Sequence, residues 1–203
     1  MNMRTKLRTQ LQKPNIFFKV FKEYLSKGKF KSSDGGKFLS FKELNENNPE
    51  WTKWMEELMQ RMADEQGYQC FNNSAPKEDY DIKEIMEIDH IVTNKLRGND
   101  WYRKAIPLIA VEHENCQEST YVENLEWSFW KLLHITAKLK VLIGYPKKEH
   151  TQELLKIFSY MIKEREKIFS IPQNVLVLFG YKKEIQWEYS GYNFKNGEFY
   201  LIA

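Results

Sequence analysis

The sequence predicts an α+β fold, and three observations carry that expectation. Apolar residues recur at helical three-and-four spacing in several segments, and short β-prone runs lie between and after them. The 203 residues are 42% hydrophobic and 15% aromatic, enough to bury a sizeable core. From Pro14 to Tyr24, the residues Ile16, Phe17, Val20, Phe21 and Tyr24 face Lys19, Lys22 and Glu23, which argues for an amphipathic helix closed by Gly28. Lys29 to Lys37 holds Ser-Ser-Asp-Gly-Gly and reads as a loop or hairpin tip. Pro49 to Glu65 repeats the spacing with Trp51, Trp54, Met55, Leu58, Met59 and Met62, with proline in the first turn and Gly67 beyond the end.

The middle of the chain reads as strands and one helix. Tyr68–Asn73 is a short strand candidate, Ile85–Val92 is β-prone and carries Asp89-His90, and Ala105–Val111 is a further apolar strand candidate. Ser128 is a plausible N-cap for a helix reaching Val141, stopped by Gly144 and Pro146. Thr151–Phe169 is strongly amphipathic, and the tail reads as strands at Val175–Leu178, Ile185–Tyr189 and Phe199–Ile202, the last entered through Asn196-Gly197. Its aromatic residues are expected as cross-strand pairs more than as a base-stacking surface.

Composition narrows the function classes. Mean hydropathy is −0.64, no apolar run is long enough to cross a membrane and no secretory leader is visible, so the expected location is cytoplasmic. Cys70 and Cys116 cannot build a disulfide scaffold or a zinc knuckle, and both are expected as reduced thiols, with Cys70 buried. Residues 1–42 carry a net charge of +9 in a chain whose total is +3, so the basic end is a candidate for contact with a polyanion such as DNA. A solvated lysine-rich helix face is the plain alternative.

The chemistry-bearing segment runs from Tyr68 to Lys140. It contains Gly67-Tyr-Gln-Cys70, then Glu87-Ile-Asp89-His90-Ile-Val, then Glu123-Asn124-Leu-Glu-Trp127, then Lys131-Leu-Leu-His134, with Lys138 and Lys140 beyond. Over this middle third the chain resembles the HNH endonucleases, in which an Asp-His pair closes one strand, Asn-Leu follows on a second, and a histidine or asparagine stands on a helix. The resemblance implies a ββα-metal nuclease core at 67–143, flanked by a basic helical region at 1–66 and a helix with small antiparallel strands at 144–203. It implies a metal-dependent DNA endonuclease, with His90 as general base, Asn124 as its brace, and Asp89 and His134 holding Mg²⁺ or Mn²⁺. Arg97, Lys131, Lys138 and Lys140 would meet flanking phosphates.

Those residue types suit the reaction. A neutral imidazole can take a proton from water near neutral pH, and one carboxylate with one imidazole leaves a hard cation room for waters and phosphate oxygens. With no second Cys-x-x-Cys pair, the finger must be held by packing, with Trp101, Trp127 and Trp130 as contributors. His90 and Asn124 stand 34 residues apart, which implies an insertion. Within it, Ile106-Pro-Leu followed by Glu112-His113 can itself be read as the second strand, which makes His113 the rival to His134. A second function class stays open, a nucleic-acid or protein-binding module on the same scaffold without a metal. DNA is the expected partner, no membrane is involved, and a double-strand cut by one finger per chain suggests a homodimer.

Overall fold

The computed structural model describes residues 10–27, 30–31, 38–39, 48–72, 88–95, 106–115, 121–170, 172–183 and 186–202. Helix α1 covers Pro14–Lys27, strands β1 (Phe30–Lys31) and β2 (Phe38–Leu39) pair with each other, and α2 covers Asn48–Glu65. One seven-stranded sheet follows, from β3 (Tyr68–Phe71), β4 (His90–Asn94), β5 (Ile109–Glu114), β6 (Leu139–Gly144), β7 (Val175–Lys183), β8 (Gln186–Lys195) and β9 (Glu198–Ile202). The strands lie side by side in chain order. All neighbours are antiparallel except β5–β6 and β6–β7. A parallel step needs a long crossover, and these two are supplied by α3 (Tyr121–His134) and α4 (Thr151–Phe169). The chain is thus mixed helix and sheet, as the sequence predicts.

Strand alternation sorts the core onto two faces. Ile109 and Val111 of β5, Val141 and Ile143 of β6, and Leu176 and Leu178 of β7 pack with Phe17 and Phe21 of α1 and Trp51, Met55 and Met59 of α2. Ala110, Leu142, Val175 and Val177 point the other way, against Leu125, Phe129 and Leu132 of α3 and Leu154, Phe158 and Ile162 of α4. Strand β6 is buried along its whole length, as expected for a central strand covered by helices on both faces.

Several sequence expectations change here. The helix expected from Ser128 to Val141 instead begins at Tyr121 and ends at His134, because Tyr121, Leu125, Ser128 and Leu132 form one inward stripe at helical spacing. The continuous run Leu139–Ile143 is the fully buried strand β6. Asn124 therefore stands in the first turn of a helix, not on a second strand, and β5 is the strand that follows β4. The expected boundary after residue 143 falls inside β6, and helices from 1–66 share one buried cluster with strands from the two later regions. Trp127 and Trp130 stack on each other at 4.9 Å on the exposed side of α3, so they do not brace the core, and Trp101 lies outside the described residues.

Candidate functional site

The site is built where β4 and β5 meet α3. His90 is in register with Val111, which brings Asp89 level with Glu112 on the neighbouring strand. The backbone N–H of His113 donates to Asp89 Oδ2 at 2.7 Å and fixes that carboxylate at the strand end. Glu112 shares a face with Ala110, under α3, and Lys131 reaches down from the helix to place Nζ 2.8 Å from Glu112 Oε2. Two carboxylates and one ammonium thus converge from three elements.

Their electrostatics are unusual. Glu112 is only 2% exposed, and its Oε1 has no hydrogen-bond partner among the described residues. Burial pushes the Glu112 carboxyl up from 4.5 to about 8, the Asp89 charge pushes the same way, and Lys131, with a smaller effect from a hydrogen bond to the Asp89 backbone N–H, opposes both. Burial and the neighbouring carboxylate both disfavour the charged form of Glu112, and Lys131 is the cation that faces it. Hard oxygen donors suit Mg²⁺ or Mn²⁺, which keep several waters and need few protein ligands. Asp89 and Glu112 are a pair of such donors, and among the described residues no group of three or more His, Cys, Asp or Glu converges. Ser128 Oγ donates to Glu114 Oε2 at 3.3 Å on the same side, tying the end of β5 to α3.

The other expected site residues are placed differently. His90 is 1% exposed and faces the α2 side of the sheet, opposite to Asp89, because successive strand residues alternate. Its Nδ1 accepts from Asn72 Nδ2 at 3.3 Å, and burial lowers its pKa from 6.5 to about 3. A base must reach the proton it takes, and this ring is buried on the sheet face opposite the Asp89 carboxylate. His134 closes α3 on its solvent side, where its ring packs tilted against Trp130 at 4.1 Å and its Nδ1 donates to the Trp130 carbonyl at 2.8 Å. The structure does not bring it to Asp89.

Asn124 is half-buried on α3, one helical turn before Ser128, and not on the loop after His90. Lys140 is 3% exposed and donates to the Leu133 carbonyl and to Gln173 Oε1, so it cannot meet a phosphate. Burial, with the Arg165 charge, lowers its pKa from 10.5 to about 7. Lys138 is exposed, Lys131 is committed to Glu112, and Arg97 lies outside the described residues. Cys70 is buried on β3, where burial pushes its thiol well up, and Cys116 lies outside the described residues.

A second polar cluster braces the site from behind. His113 Nε2 is 2.8 Å from Tyr145 Oη, which also takes a hydrogen bond from Trp51 Nε1 at 2.9 Å and lies 3.0 Å from Tyr189 Oη. Burial, with a smaller effect from the nearby His90, lowers the His113 pKa to about 3. The rival histidine is therefore a neutral anchor: its ring is held in the core while its backbone N–H holds Asp89. Sequence reasoning missed Glu112 as a functional residue. Its signal was a single carboxylate inside Ile109-Ala-Val-Glu, at a position whose strand face must be buried. Among the described residues, no helix is long and apolar enough to cross a membrane. Comparison with protein-family models and with curated proteins gives no match to this chain.

Proposed function

We propose that this chain is a metal-dependent nuclease that hydrolyses phosphodiester bonds in DNA, acting from Asp89, Glu112 and Lys131. The observation that carries the reading is the buried, unpartnered Oε1 of Glu112, set beside Asp89 and opposite Lys131. In this reading the nuclease core is still a β–β–α unit, formed by β4, β5 and α3, but its working residues differ from those that the HNH resemblance implies. Asp89 and Glu112 would hold the divalent cation. When bound, the cation would supply Lewis-acid neutralisation of phosphate charge and a more acidic water. Glu112 gives up its proton as the site fills, because a cation removes the penalty that keeps the carboxyl protonated. Lys131 keeps Glu112 Oε2 in place and sets a fixed positive charge where a phosphate oxygen would approach.

His113 orients Asp89 through its backbone and takes no proton. The basic segment 1–42 supports a polyanionic substrate, and α1 shows Lys19 and Lys22 on its exposed side. Incubation of the purified chain with supercoiled plasmid tests the reading, with Mg²⁺ or Mn²⁺ present or chelated. Metal-dependent nicking that drops by about 10³-fold in both Asp89→Asn and Glu112→Gln supports it. Salt-sensitive DNA retention with neither cleavage nor Mn²⁺ binding replaces it with the non-catalytic binding module.

A further inference from the structure

Strands β3 and β9 are the two ends of the sheet, and α2 packs against β3. Among the described residues no further strand pairs with the outer edge of β9. Strands β8 and β9 are joined by Asn196-Gly197, both at positive φ (53° and 85°), and the register closes on Lys195↔Glu198. A two-residue turn of this kind closes on a hydrogen-bonded pair, and such pairs recur at every second residue. Glu198, Tyr200 and Ile202 therefore turn their backbone N–H and C=O groups toward β8. Phe199 and Leu201 turn theirs outward.

This edge carries little of the usual protection. It has no proline, its single charge is Glu198 at the first position, and Phe199, Tyr200, Leu201 and Ile202 follow without interruption. Leu201 is 66% exposed and Tyr200 50%. Beside the edge, α4 and β9 leave a groove of about 480 Å³ whose apolar wall includes Leu155, Tyr160, Phe199 and Leu201.

We infer that β9 pairs antiparallel with β9 of a second copy of this chain, joining two sheets about a two-fold axis at Tyr200. The register selects that occupant. With Tyr200 opposite its own counterpart, Phe199 of each copy meets Leu201 of the other, and both are the residues whose backbone groups face outward. Four backbone hydrogen bonds form with no group of either strand left over. On the α4 side, Leu201 of each copy then covers Phe199 of the other at the mouth of the groove, and on the opposite side the two Tyr200 rings lie across from one another. The inference depends on the edge alone and not on Asp89, Glu112 or any activity.

Sedimentation velocity on the full chain, run across a concentration series, reads the result. The wild type is expected to move from monomer to dimer in the micromolar range, and both Leu201→Pro and Leu201→Lys to remain monomeric. Proline at 201 removes only the outward N–H, so pairing with β8 survives and far-ultraviolet circular dichroism should stay unchanged. If the proline variant fails to fold, the lysine variant decides, and amide exchange in the wild type adds a check without mutation: Phe199 and Leu201 should gain protection as concentration rises. A wild type that stays monomeric up to about 100 μM, leaving the edge to some other extended segment, overturns the inference. A dimer that persists in the folded variants overturns it as well.

Discussion

Lys131 Nζ and Glu112 Oε2 meet at 2.8 Å across the gap between α3 and β5, and that contact ties up one carboxylate oxygen while the other stays buried and unmet. Removing the ammonium should make the site harder to ionise. Lys131→Met leaves only the weaker hydrogen bond from the Asp89 backbone N–H to oppose burial and the Asp89 charge, so the Glu112 pKa should rise above its value of about 8. Titration of Mn²⁺ by calorimetry at several pH values checks this. The midpoint of the pH dependence should move up by about one unit, with affinity near neutral pH about tenfold lower than in the wild type. An unchanged pH profile would show that Lys131 does not act on Glu112.

The same carboxyl makes stability depend on pH in a direction opposite to the usual acid residue. Between 4.5 and about 8 the unfolded chain has lost the Glu112 proton while the folded chain keeps it. The folded state therefore binds more protons, and stability falls as pH rises through that window, by up to about 1.4 kcal/mol per pH unit. His90 and His113 act oppositely below 6.5, so the quantity to measure is the difference between wild type and Glu112→Gln in urea unfolding without metal. The variant should gain relative stability from pH 5 to 8, and adding Mg²⁺ or Mn²⁺ at pH 8 should stabilise only the wild type. Parallel curves for the two proteins would sink the assignment.

The two histidines given leading roles by the HNH resemblance provide the sharpest discrimination. His134 packs against Trp130 at the solvent side of α3, so His134→Ala should leave cleavage and Mn²⁺ affinity within about threefold of wild type. His90 is buried neutral with its pKa lowered to about 3, so the unfolded chain takes up a proton below 6.5 that the folded chain refuses. Its contribution to stability is present above 6.5 and is lost as pH falls toward 3. His90→Asn should remove about one proton from the slope of stability against pH over that range while sparing metal binding. Loss of Mn²⁺ binding in either variant would favour the HNH arrangement.

The sequence made much of the fold legible because local pattern and tertiary packing agree there. The stripes of Phe17 and Phe21, of Trp51, Met55 and Met59, and of Leu154, Phe158 and Ile162 are the faces that the structure buries. Asn196-Gly197 is the tight turn that its residues dictate. Reading failed where burial on two faces erases periodicity. Leu139–Ile143 is apolar at every position except Lys140, and such a run fits a buried helix and a buried strand equally well. Asp89 was found because it stands beside a histidine. Its partner across the strands was not, because the pairing of β4 with β5 spans residues that no local motif links.

The support behind the site can be tested at a glycine. A Cβ at Gly180 would lie 2.7 and 2.8 Å from two carbons of the Tyr145 ring and 3.1 Å from the Tyr189 ring, so the absence of a side chain on β7 is what lets Tyr145 lie flat against it. Tyr145 Oη is hydrogen-bonded to His113 Nε2, and the His113 N–H holds Asp89, which forms a continuous chain from β7 to the Asp89 carboxylate. Gly180→Ala should push the Tyr145 ring away, cost about 1–3 kcal/mol in unfolding free energy, and weaken Mn²⁺ binding severalfold as Asp89 loses its fixed orientation. Tyr145→Phe keeps the ring and loses only its hydrogen bonds, so it should cost about 1–2 kcal/mol with a smaller effect on the metal. If both variants lose stability yet bind Mn²⁺ as the wild type does, the cluster supports the core alone, and Asp89 is held by the strand ends without it.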